Sequence, residues 1–194
     1  GRLLEGMNRI IPDGAPSSEC LPAEVCFKSV DNRPAEVPML TVIHIVFLRE
    51  HNNIVEDLRI LNPGWNGETL YQEAKKILTG VYQHIIYNEF LPIVLGQEGM
   101  DIFGLRSAPT GYQNSYNPSA NPATRNGFGA AAYRFGHSLV GSFVEAFAPD
   151  FTLRASDPME AHFFSTRAIR DFGVFGPNGI GRWMTSDFKS RADP

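Results

Sequence analysis

Between Ala130 and Phe143 an imidazole and a guanidinium stand three residues apart, in YRFGHSLVGSF. They are His137 and Arg134. That spacing puts both on neighbouring parts of one helix surface. Gly136 sits beside the histidine and removes a side chain where a flat group would need room. The flanking residues are apolar on nearly all sides, which predicts a buried helix rather than a surface one. A buried helix carrying His, Arg and Gly together is a cradle for an anionic macrocycle with a metal at its centre. The imidazole would be the axial ligand, and the guanidinium would pair with a carboxylate of the ring. The competing reading is a core histidine satisfied by a backbone carbonyl, since histidine is often partly buried.

Other residues with chemical potential carry less. His44 and His51 fall two turns apart on a helical pattern, about 10 Å along the axis. That is too far for both rings to hold one metal from a straight helix, and the zinc-protease pattern spaces its two histidines by four. Packing and hydrogen bonding are the roles expected of them. Cys20 and Cys26 lie in a loop containing Pro and Ser. Their closeness suits a small disulfide loop in an oxidising compartment, with two free thiols as the alternative. Without a nearby histidine they do not make a zinc site.

The elements that must position these residues read as mainly α. The 194 residues suffice for one domain with a core, or for a piece of a larger one. With 43% hydrophobic and 20% charged residues the chain is globular rather than disordered. A net charge of −4 argues against a nucleic-acid binder. No apolar run approaches the length of a membrane span. Gly1 at the start and the polar run before Pro194 give the expectation of a processed or excised chain.

Residues 1–32 read as irregular, with Pro12, Pro16 and Pro22 and little periodicity. Pro38 opens a helix to about Leu61, with Leu40, Ile43, His44, Phe47, His51, Val55 and Leu58 on its stripe. Asn62-Pro63-Gly64 ends it. A second helix is expected from about Glu68 to Leu91, closed by Pro92. Residues 96–121 are expected to form a long loop, of the kind that is functional or wraps a larger body. The His137 helix is expected from about Ala123 to Phe147. A short helix after Asp157-Pro158 and a last segment near Ile180 to Thr185 complete a helical chain with long loops and little β.

Several segments together resemble one family. The run that opens DNRPAEVPMLTVIHIVFLREHNNIVEDLRILNPGW and continues through LYQEAKKI, and AAYRFGHSLV further on, are similar to the central part of the animal haem peroxidases. The family includes myeloperoxidase, peroxidasin and peroxinectin. The matching positions run from about Cys20 to Thr185, long and ordered enough to be specific. The resemblance implies a mostly helical fold, haem b as cofactor, and hydrogen peroxide as the oxidant of its iron. By position, His137 matches the proximal iron ligand and Arg134 the arginine that pairs with a haem propionate. Arg33 matches the distal arginine that polarises peroxide. Glu36 matches the carboxylate that can ester-link to a haem methyl. Asp193 falls near the residue that receives the proximal imidazole hydrogen. The implied partners are hydrogen peroxide, small reducing donors such as halide, phenol or tyrosyl groups, and the remainder of the peroxidase domain. The implied location is secreted or extracellular.

The departures from the family pattern are specific. The family's distal histidine lies in an Asp-His-Asp motif followed by a calcium-binding loop, and neither occurs in this sequence. Calcium is therefore expected only upstream. Val37 stands where myeloperoxidase has a methionine bonded to haem. Valine cannot form that sulfonium link, so strong chloride oxidation is not expected. Residues 1–194 read as the central to C-terminal part of a haem peroxidase domain, impaired alone for want of the distal base. A base in that place is typically worth about 10² to 10⁴ in rate. Two rival readings belong to other classes. One is an extracellular adhesion or matrix module that keeps the fold without the chemistry. The other is a haem-free α-domain in which His137 is merely core.

Overall fold

Pro38 and the Asn62-Pro63-Gly64 stop bracket the longest element. A computed structural model describes residues 1–15, 20–29, 31, 33–112 and 116–186. In it the four-residue helix α1 (Arg33–Glu36) is followed by α2 (Pro38–Leu61), with the expected bounds. The buried face of α2 is rotated from the expected stripe. Thr41, Val42, Ile45, His51, Asn52 and Val55 are buried, whereas Ile43 and His44 are exposed. The first half of this helix is apolar on most sides, so periodicity alone does not choose the face.

Two compact units share the chain, and the boundary between Arg49 and Glu50 falls inside α2. The first unit comprises Gly1–Arg2 and Glu50–Ala123. Its helix α3 (Gly67–Ile85) starts at Asn66, whose side chain accepts from the Thr69 N–H at 2.9 Å, a regular N-cap. A π-helical turn (Ile86–Phe90) leads directly into α4 (Leu91–Ile102). Pro92 thus opens a helix rather than closing one. The π-helical turn just before it, in which the Leu91 N–H donates to the Ile86 carbonyl, carries the helical backbone into the proline. The helical stretch reaches well into the expected loop, with a kink at Gly96, whose φ of 68° lies in the region glycine favours. Val55, Leu70 and Ala74 form the small core, with Ile54 and Leu58 against it. His51 is buried there with its ring 5.3 Å from that of Tyr71.

The second unit comprises Leu3–Arg49 and Thr124–Pro194. Its core gathers Ile10, Phe27, Val42, Ile45, Ile169 and Trp183 with the inner face of a hairpin. That hairpin pairs β1 (Phe143–Phe147) with β2 (Leu153–Pro158) in antiparallel register, from Phe143 opposite Pro158 to Phe147 opposite Leu153. Val144 and Ala146 point inward and are fully buried. Met159–His162 is a 3-10 turn, followed by α6 (Arg167–Arg170) and α7 (Gly176–Ser186). Helix α7 lies against β1 at Gly179, where an added Cβ would stand 3.1 Å from that of Ala146. Glycine is what permits this approach.

The expected buried helix over Ala123 to Phe147 does not form. In its place stand α5 (Asn126–Ala130), a 3-10 run (Ala132–Leu139) and then β1. Gly127, Gly129, Gly136 and Gly141 each weaken an α-helix by about 1 kcal/mol relative to alanine. The apolar run also hides a period of two, FVEAF, that belongs to a strand. Neither α5 nor the 3-10 run contains a buried residue. The expectation of burial around His137 is therefore also corrected.

Candidate functional site

His137 lies in the 3-10 run, exposed, with its Nδ1 2.7 Å from the carbonyl oxygen of Arg134. A carbonyl can only accept, so Nδ1 carries the hydrogen. In the neutral ring this leaves the Nε2 lone pair unengaged. The three-residue spacing matches the pitch of a 3-10 helix, in which residues i and i+3 eclipse. Among the described residues the Arg134 guanidinium has no hydrogen-bond or ion-pair partner. An added Cβ on Gly136 would meet nothing within 4 Å. Asp193, the expected acceptor for the imidazole hydrogen, lies outside the described residues.

Arg33 and Glu36 sit at the two ends of α1, both exposed. Arg33 does not pair with Glu36. Its guanidinium bonds Asp31 at 2.8 Å, and its backbone N–H donates to the same carboxylate at 3.0 Å. The backbone N–H, with help from the guanidinium, holds the Asp31 carboxyl below its ordinary range. Both side chains face solvent, so the pair is weak and easily exchanged. Among the described residues no hydrogen bond, ion pair or ring contact joins Arg33 or Glu36 to Arg134 or His137.

Helix α1 is too short to hold itself, and its neighbours fix it. The Thr41 hydroxyl donates to the Pro34 carbonyl. The Phe164 N–H donates to the Glu36 carbonyl at 3.1 Å, and the Leu21 N–H donates to the Phe164 carbonyl at 2.9 Å. The Cys20–Cys26 disulfide is formed, and both sulfur residues pack against Ala35 on α1. Inside that disulfide loop Glu24 is a buried carboxylate, its side chain 6% exposed. It accepts from the Ser165 hydroxyl at 3.0 Å, the Thr166 N–H at 2.6 Å and the Thr166 hydroxyl at 3.2 Å, and pairs with Arg167 at 2.8 Å. Sequence reading missed Glu24 and Asp31. Proximity to Arg33 signals Asp31, but Glu24 finds its partners more than 140 residues away.

Comparison with known proteins decides the family. The family model for animal haem peroxidase matches residues 3–191. The chain belongs to the animal haem peroxidase family. A peroxidase-like protein from Margaritifera margaritifera is 45% identical over 178 residues, covering 90% of this chain and 22% of that protein. The human peroxidasin homolog is 37% identical over 169 residues, 84% of this chain and 11% of that protein. The chain thus spans less than a quarter of either relative. Peroxidase A from Dictyostelium discoideum shares the fold, with a TM-score of 0.74 at 24% identity over 97% of this chain and 34% of that one. The mainly α architecture is that of the animal haem peroxidases.

The donor set at His137 fits haem b. A neutral imidazole with a free Nε2 is the form that ligates iron. A planar guanidinium three residues away suits a propionate. The open space at Gly136 leaves room for a flat ring. Among the described residues no three His, Cys, Asp or Glu side chains cluster as a metal site.

Proposed function

We propose that this chain is the haem-holding portion of a secreted peroxidase that uses hydrogen peroxide to oxidise halide or phenolic donors. Haem b, when bound, supplies the iron that takes oxidising equivalents from peroxide. His137 offers Nε2 as the proximal ligand, its ring held by the Nδ1–H bond to the Arg134 carbonyl. That second bond fixes the tautomer and raises the basicity of the ligating nitrogen. Arg134 pairs with a haem propionate. Arg33 offers a cation to the negative charge that builds as the peroxide bond polarises. Glu36, at the other end of α1, offers a carboxylate for an ester to a haem methyl. The base that moves the peroxide proton is not among these residues, so this portion alone turns over poorly. The formed disulfide supports the secreted location.

The observation that carries this reading is the imidazole with its donor side engaged and its acceptor side open, within a chain of this family. The test uses the full-length protein expressed with haem. A Soret band and peroxide-dependent oxidation of a small phenol are expected, both lost in His137→Ala. A colourless full-length protein, or a Soret band that survives His137→Ala unchanged, overturns the reading.

A further inference from the structure

Glu24 is a buried carboxylate that no step of the proposed reaction uses. Its hydrogen-bond donors belong to Ser165 and Thr166, which are buried as well. A charge is held out of water only where fixed dipoles replace its hydration. These contacts therefore lock one conformation of the disulfide loop onto one conformation of the 164–166 turn. Each side of the contact carries a non-glycine residue in the left-handed region, Ala23 at φ 68° and Phe164 at φ 55°. A bulky residue such as phenylalanine is seldom found there. Backbone held in that region persists only where its surroundings impose it, and such residues cluster at functional sites.

What the turn holds is α1. The Phe164 N–H donates to the Glu36 carbonyl, and the Phe164 carbonyl accepts from the Leu21 N–H. One residue thus joins the C-terminal end of α1 to the start of the disulfide loop. The far side of the loop is closed by Val25, whose carbonyl accepts from the Thr166 hydroxyl at 3.1 Å and the Arg170 guanidinium at 3.0 Å. We propose that Glu24 is a positioning residue for the peroxide reaction: by fixing the 164–166 turn it sets where α1 stands, and with α1 the Arg33 guanidinium and the Glu36 carboxylate. The inference rests on the peroxidase reading above. A four-residue helix has too few bonds of its own to keep its place, so what it is tied to decides where it lies. Without the carboxylate, the Thr166 N–H and the Ser165 hydroxyl lose their acceptor. Phe164 is then free to leave the left-handed region, which turns its N–H away from the Glu36 carbonyl. His137 is held by a bond within its own 3-10 run, so the proximal side does not depend on Glu24.

The test compares full-length, haem-loaded protein with its Glu24→Ala and Glu24→Gln variants, well below their unfolding transitions. Stopped-flow absorption follows the reaction with hydrogen peroxide, and the KM for a small phenol is measured on the same samples. Amide hydrogen exchange is read by mass spectrometry in peptides spanning α1, the 164–166 turn and, as a control, α3. Glu24→Ala is expected to react with peroxide about tenfold to 10²-fold more slowly, as for a reacting group misplaced by about 1 Å. Its Soret position and phenol KM stay unchanged, and exchange quickens over α1 and the turn but not over α3. Glu24→Gln recovers most of the rate, because an amide oxygen still accepts from the Thr166 N–H. If Glu24→Ala does not fold, Ser165→Ala takes its place, with a loss of a few-fold expected. An unchanged peroxide rate in the variant that folds, or exchange that quickens equally over α3, overturns the positioning role and leaves the peroxidase reading standing. A parent protein that binds haem but does not react with peroxide, or binds none, overturns the peroxidase reading and the positioning role together.

Discussion

The Nδ1–H of His137 donates to the carbonyl oxygen of Arg134 across 2.7 Å, so the same two residues are tied by the backbone of one and the ring of the other. Their roles can still be separated. Arg134→Lys keeps the carbonyl and the charge but loses the planar fork, and Arg134→Ala loses both charge and fork. Haem retention by the full-length protein is expected to fall in that order. The alanine variant should lose about tenfold or more, as for a charge-assisted hydrogen bond of about 1.5–3 kcal/mol. Haem transfer to an apo-globin acceptor measures it. The Soret position stays put in both, because the ring and its acceptor remain. Equal retention in all three proteins removes the propionate role.

Gly136 gives a sharper separation of fold from cofactor. Nothing stands within 4 Å of an added Cβ, so Gly136→Val leaves the polypeptide uncrowded. The expected outcome is an unchanged denaturation midpoint for the apo-protein with haem uptake strongly reduced. Spectroscopic titration with haem checks it, and full uptake by the variant would mean that no ring lies over this glycine.

Parts of this site are legible in the chain and parts are not, for reasons that differ by residue. Pro38 and Asn62-Pro63-Gly64 are local stops, so the bounds of α2 follow from sequence alone. The His–Arg–Gly grouping is also local. The acceptor for His137 is a peptide carbonyl, which no side-chain pattern announces. The strand at Phe143–Phe147 was hidden by an apolar run that reads equally as helix until the four glycines are weighed against it. Glu24 and its partners on α6 meet only because the chain returns, and spacing says nothing about a return.

Glu24 is a buried carboxylate, some of whose donors would be left without acceptors if it were removed. Glu24→Ala orphans the Thr166 N–H and the Ser165 hydroxyl, while the Thr166 hydroxyl keeps the Val25 carbonyl as acceptor. A loss of about 2 kcal/mol is expected from such unsatisfied groups. Urea unfolding followed by circular dichroism measures it, with Glu24→Gln losing less because an amide oxygen still accepts.

The disulfide should contribute a similar amount. It closes a loop of six-residue separation, for which the chain-entropy relation gives about 2 kcal/mol. Cys20→Ala/Cys26→Ala is expected to lower stability by that much. It should also weaken peroxide turnover beyond the stability loss, because the sulfurs pack on Ala35 between Arg33 and Glu36. Turnover measured well below the unfolding transition separates the two effects.

His162 sets a pH dependence. The ring is buried against Phe175, and its Nε2 lies 3.5 Å from Asp157, a charge contact too poorly aligned to serve as a hydrogen bond. Burial pushes the imidazole below its ordinary range, and the half-exposed Asp157 only partly opposes this. The unfolded chain takes up the proton near its ordinary pKa of about 6.5, while the folded chain takes it up only at lower pH. The unfolded state therefore binds more protons between the two values. Stability present above the unfolded pKa is lost as pH falls through the folded one. Urea midpoints from about pH 7 to about pH 5 should fall less steeply in His162→Gln than in the parent. An identical slope would mean that the folded ring titrates normally.

The second unit is assembled from two stretches of chain with the first unit spliced between them. A nascent polypeptide leaving the ribosome therefore presents Ile10, Phe27, Val42 and Ile45 to water long before Val144, Ile169 and Trp183 exist to cover them. Ring closure over the interruption adds little free energy, since each doubling of its length costs only about 0.6 kcal/mol. The delay is the larger consequence. Until α7 emerges, the early half of that core is sticky surface, exposed to aggregation for longer than the core of a contiguous domain would be.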